Sequence, residues 1–216
     1  MLEPEVRGTA FLGILKFIKL QRQPDALFKQ VLEGLPPEAQ KVCSRKFIAV
    51  VDYPYQVFIQ LLRTVDKVLG TGSLELCREL GRFAGVRDFE SLREMMPNFH
   101  IKPRDLFRDC NTYWQSYYLR AGEMKAESAD HQCVLRIDGF EQMDPAHCRL
   151  MEGWMAQALV EAGGSWLREI RETRCAANGA PFHEFGGEWE ETKPGDYVAK
   201  FNPQLFVRAR PPILLR

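Results

Sequence analysis

What most constrains this chain is a change of hydrophobic period at Gly122. Before it, apolar residues recur at helical spacing: Val57, Phe58, Leu61, Leu62, Val65, Val68 and Leu69 share one face of a helix over 55–69. After it they alternate, with Cys133, Leu135 and Ile137 against Val134, Arg136 and Asp138, the period of a half-buried strand. A helix resumes over 145–162, with Met151, Trp154, Met155, Ala158 and Leu159 inward, and two more strands follow at 166–175 and 182–189. Helices first, then strand, strand, helix, strand, strand, predicts an α+β fold of N-terminal helices packed on an antiparallel sheet. With 216 residues the chain can bury a full core. Residues 1–190 read as one ligand-binding-type domain. From Glu191 the composition shifts toward Lys193-Pro194-Gly195 and a basic, apolar end, which reads as an extension or arm.

The N-terminal half reads as a series of short helices. Residues 7–20 are apolar enough for a docked strand or a short helix, and periodicity alone does not separate the two. Pro24 opens a helix closed by Gly34, Pro37 starts another turn, and 47–51 is β-prone. Gly70–Ser73 ends the 55–69 helix, Ser73 is placed to cap the next, and a separate helical piece is expected over 89–96 before Pro97. Pro103 opens a helix dense in aromatics: Phe107, Tyr113, Trp114, Tyr117 and, just beyond, Tyr118. With Phe58 these suit the wall of a cavity for a flat hydrophobic ligand, the tyrosine hydroxyls orienting it. The same stripe also suits an aromatic core helix.

Charge excludes more than it identifies. Lys plus Arg equals Asp plus Glu at 29 each, so no basic field points to nucleic acid. No apolar run is long enough to span a membrane, and the acidic start lacks a signal-peptide layout, so the expected compartment is the cytoplasm. In that reducing setting the six cysteines are expected as buried thiols or metal ligands. No phosphate-binding glycine loop, nucleophile elbow or His-Glu-x-x-His motif occurs, so nothing supports an enzyme.

One group of residues invites a sharper reading. Cys148, in the first turn of the 145–162 helix, Glu172 and Cys175, at the end of a strand, and His183, at the start of the next, all sit at element boundaries. Together with Trp154, the doublet Gly163-Gly164, Gly179 and Phe185, this pattern resembles the closing signature of the 4-vinyl-reductase domain. That small-molecule-binding module is also the sensor of phenol- and xylene-responsive regulators and a distant relative of TRAPP-type trafficking subunits. The run from Arg7-Gly8-Thr9 to Trp189 is more closely similar to an uncharacterised myxobacterial-type family related to it. The resemblance implies a structural zinc on Cys148, Glu172, Cys175 and His183, with histidine where the sensors carry cysteine. It also implies a non-catalytic sensory domain for a small hydrophobic or aromatic molecule, working as a homodimer and with room for a protein partner. The alternative is a dimerising interaction scaffold with no small-molecule ligand. A filled core would favour the scaffold, and an apolar cavity of several hundred Å³ would favour sensing.

Overall fold

The computed structural model describes residues 3–97, 100–129 and 131–191. The expected extension from Glu191 lies, past that residue, outside the described residues. The architecture is α+β, as the change of period implies. A short strand β1 (Glu5–Arg7) runs into helix α1 (Gly8–Lys19), followed by α2 (Pro24–Gly34), α3 (Pro37–Cys43), β2 (Asp52–Pro54) and α4 (Tyr55–Leu69). Next come α5 (Glu75–Met95), α6 (Pro103–Arg108), α7 (Cys110–Tyr117) and β3 (Tyr118–Leu119). Strands β4 (Glu123–Ala129) and β5 (Gln132–Asp138), helix α8 (Pro145–Glu161), and strands β6 (Gly164–Arg174) and β7 (His183–Glu191) complete it. The strands form a three-stranded sheet, β2-β1-β3, and a four-stranded sheet, β4-β5-β7-β6, with antiparallel pairing throughout. None of the described helices is long and apolar enough to cross a membrane.

The ambiguity over 7–20 resolves as a helix. Phe11, Ile14, Phe17 and Ile18 are buried at helical spacing, while the three residues before the helix, 5–7, add a strand. The β-prone stretch 47–51 does not pair; it turns over the start of α1, where the Gly8 N–H donates to Val51 O at 2.8 Å. Only 52–54 enters the sheet, and Ile48, Val50 and Val51 remain exposed.

Helix α5 is continuous where the sequence suggested two pieces, and Ser73 does not cap it. The cap comes from α4: the Asp66 carboxylate accepts the N–H of Leu74 at 2.9 Å and of Leu76 at 3.1 Å. The glycines inside the helix serve its crossing with α8. A Cβ on Gly81 would meet Leu150 O at 1.9 Å, and one on Gly153 would meet Arg78 O at 1.8 Å, so the two backbones approach too closely for side chains. Helix α8 is buried almost all round, between α5 on one side and β6 on the other. Arg78 and Arg82 of α5 reach over to Glu169 of β6, and Arg78 lies 3.5 Å from Glu152 of α8.

Candidate ligand cavity and buried cysteine corner

A cavity of about 270 Å³ lies between α1, α5, α7, α8 and the inner face of the four-stranded sheet. All six aromatic residues singled out from the sequence line it: Phe58, Phe107, Tyr113, Trp114, Tyr117 and Tyr118. Their rings are held from behind. The Trp114 indole donates to Ala121 O at 3.1 Å and lies 4.4 Å from the Tyr118 ring, and Phe107 packs on Trp189. Several wall residues carried no site signal in the sequence: Leu12 and Gly13 of α1, Ala84 and Asp88 of α5 and Trp166 of β6, while Trp154 of α8 carried one only as part of the family pattern. Trp154 was legible as an inward residue of its helix. Which cavity it faced depended on α5 crossing beside it.

Polar groups in this wall include Thr9, Lys16, Arg87, Ser91 and Asp88, and Asp88 is the acid among them. Its carboxylate accepts the Tyr117 hydroxyl at 2.7 Å on one oxygen and the Trp154 indole N–H at 2.7 Å on the other. Burial raises its pKa, and those two hydrogen bonds and nearby Arg87 pull it back.

Behind Trp114 and Tyr118 sits His147, fully buried and stacked on the Trp114 ring at 5.6 Å. The Tyr55 hydroxyl accepts the Asp144 N–H at 3.0 Å and is hydrogen-bonded to His147 Nδ1 at 3.1 Å. The other ring nitrogen, Nε2, is buried with no hydrogen-bond partner among the described residues. Burial, and then the charge of His183, push its pKa down to about 3, so the ring is neutral.

Cys148, Glu172, Cys175 and His183 do converge, with one potential ligand atom from each lying within 4.8 Å of the others. They bond to one another. Cys148 Sγ lies 3.4 Å and Glu172 Oε1 3.2 Å from His183 Nδ1. Burial raises the Cys148 thiol, as does Glu172, and burial raises Cys175, so both stay protonated. Burial also pushes Glu172 up, but hydrogen bonds from His183, Cys148 and Cys175 outweigh it and hold its carboxyl below the usual range. All six cysteines are buried and free.

No protein-family model matches the chain, and no curated protein matches it in sequence. Solved structures match it in fold. An H-NOX protein from S. oneidensis in the Fe(II)NO ligation state is 14% identical, with a TM-score of 0.64 over 86% of this chain and 99% of its own. The Fe(II) unliganded H-NOX protein from K. algicida is 10% identical, with a TM-score of 0.57 over 86% and 97%. An oxygen-binding H-NOX domain related to soluble guanylate cyclases, in its oxygen complex, is 11% identical, with a TM-score of 0.56 over 91% and 99%. The fold is that of the H-NOX proteins.

Two expectations are thereby corrected. The likeness is to H-NOX structures, and nothing found supports the 4-vinyl-reductase or TRAPP-type resemblance drawn from the cysteine corner. The expected zinc falls with it, since the matching structures are described by Fe(II), haem or bound oxygen and none by zinc. The spacing of Cys148, Glu172, Cys175 and His183 reported correctly that the four side chains meet. Meeting is not metal binding: the contacts shown are hydrogen bonds among two thiols, a carboxylate and an imidazole.

Proposed function

We propose that this chain is a sensory domain that binds a small aromatic or otherwise hydrophobic molecule in the cavity between α1, α5, α7 and α8. The observation that carries the reading is the cavity itself: about 270 Å³, close to the lower end of small-ligand sites and walled mainly by aromatic and aliphatic side chains. An interaction scaffold needs no such space. Phe58, Phe107, Tyr113, Trp114, Tyr117 and Tyr118 are the contact residues in this reading.

Haem is the group the H-NOX likeness implies, and the cavity residues do not fit it. Haem iron needs an imidazole, thiolate, thioether or phenolate ligand. Among the described residues no histidine lines the cavity. His147 is screened from it by the rings of Phe58, Trp114 and Tyr118, His183 is held in the cysteine corner, and His100 is exposed. The Cys110 thiol donates to Met124 O at 3.5 Å, and burial raises its pKa and those of Tyr113, Tyr117 and Tyr118, so among the described residues the wall offers no thiolate or phenolate. Met124, Met151 and Met155 also line it, but a thioether serves haem iron beside a histidine, and among the described residues the wall has none. No step is therefore assigned to haem.

The test is a titration of the full chain with ethylbenzene and phenethyl alcohol, read by thermal shift and tryptophan emission from the cavity-lining Trp154 and Trp166. Ligand at about a hundred times its Kd stabilises a domain by roughly 2.7 kcal/mol, or about 5–11 °C at this size. Ala84→Leu, which fills the cavity from α5, should abolish the shift. No saturable response from any aromatic probe, or an unchanged response in Ala84→Leu, refutes the reading.

A further inference from the structure

Several partly buried carboxylates of this chain are paired with arginine, and those that are not have another positive partner, the helix N-terminus for Asp66 and the His183 imidazole for Glu172; among the described residues Asp88 has neither. Glu169 is held by Arg78 and Arg82, Glu152 by Arg78 and Arg149, and Asp144 by Arg63. Asp66 takes two backbone N–H groups at the start of α5. Asp88 has only neutral donors, the Tyr117 hydroxyl and the Trp154 indole, and both come from the cavity wall. Among the described residues no cation is ion-paired with it. The adjacent Arg87 is engaged with Glu90 at 2.5 Å. A carboxylate accepts about four hydrogen bonds, so two acceptor positions remain at a site that opens on the cavity. Removing an ionised carboxylate from water without a counter-ion is costly, which makes the missing cation the informative feature.

Resting on the reading of the cavity as a ligand site, we propose that its ligand is an arylalkylamine bound as its ammonium cation, with the ammonium on Asp88 and the ring among Tyr113, Trp114 and Trp154. The aromatic faces that line the cavity beside Asp88 add cation–π attraction to the charge-assisted hydrogen bond. Tyr117 and Trp154 fix the carboxylate, so the ammonium meets a group already oriented and partly desolvated.

The experiment compares three probes of nearly equal shape on the full chain by calorimetry: phenethylamine, phenethyl alcohol and phenylpropionic acid. The amine is expected to bind on the order of 10- to 100-fold tighter than the alcohol, the worth of one hydrogen bond to a charged group. Asp88→Asn should remove that advantage, so that in the variant the amine and the alcohol bind within about twofold of each other. The inference is overturned if the alcohol binds as tightly as the amine, if the acid binds tightest through Lys16 and Arg87 at the same cavity, or if Asp88→Asn keeps the preference. The wild-type comparison stands even if that variant does not fold. Binding of the alcohol without preference for the amine sinks only this inference, whereas binding of no probe at all sinks the cavity reading with it.

Discussion

Gly153→Ala is the substitution whose outcome follows most directly from the geometry. The added methyl would lie 1.8 Å from Arg78 O, 2.8 Å from Arg78 C and 2.9 Å from Arg82 N, all backbone atoms of α5. No side chain can turn aside to relieve the contact, so the two helices must separate. Overpacking of this kind costs about 3 kcal/mol, the upper end of the usual range. For a domain of this length that lowers Tm by roughly 6–12 °C. Because α5 and α8 both wall the cavity, through Ala84 and Asp88 on one and Met151 and Trp154 on the other, aromatic ligand affinity should fall as well. Gly13→Ala is the matched control: it also lies in a helix, but its Cβ would meet nothing within 4 Å. Removing a helical glycine there should raise stability by about 0.5–1 kcal/mol. Thermal denaturation by circular dichroism, with both variants beside wild type, reads the two effects. A Gly153→Ala protein melting within about two degrees of wild type would refute the close-crossing argument.

Two further outcomes follow. A histidine whose folded pKa, here about 3, lies below the unfolded value near 6.5 contributes stability that is full above 6.5 and is lost as pH falls from there toward 3. Between pH 8 and pH 5 His147 should therefore cost the native state about 2 kcal/mol, and His147→Leu should flatten that part of the urea-denaturation profile; an identical pH slope in the variant would contradict it. Asp144 caps α8 through the Ala146 N–H at 2.8 Å and also receives Arg63 at 3.0 Å through two nitrogens. Asp144→Ala should cost about 2 kcal/mol and Arg63→Met, which removes only a half-exposed ion pair, under about 1 kcal/mol; equal losses in chemical denaturation would show that the cap contributes nothing.

The sequence by itself determined the elements whose pattern is local. The apolar stripe of α4 ends where its helix ends, at Leu69, and the alternation of Cys133, Leu135 and Ile137 set the inner face of β5. The Pro145 helix and the last strand pair were legible for the same reason, since a period of 3.6 or 2 is written into consecutive residues. Most of the aromatic wall could also be read, because Phe107 to Tyr118 are close in sequence, although the one helix expected there is two, α6 and α7, with Tyr118 on β3. The meeting of Cys148, Glu172, Cys175 and His183 could be read because they lie at the ends of neighbouring elements. What the corner does could not, and its spacing suggested both a metal and a family that the comparisons do not support.

Only the tertiary structure decided the rest. Helix α5 starts where Asp66 on the preceding helix caps it, and its Gly81 and Gly85 lie against Leu150, Trp154 and Gln157 of α8. The stretch 47–51 stays out of the sheet because it is drawn over the start of α1. Asp88 stands out only once Tyr117 and Trp154 close on it and, among the described residues, no arginine forms an ion pair with it. A cavity is space left between faces that come from distant parts of the chain, and a missing counter-ion is a property of that space. Neither has a period, so neither is written in any local run of residues.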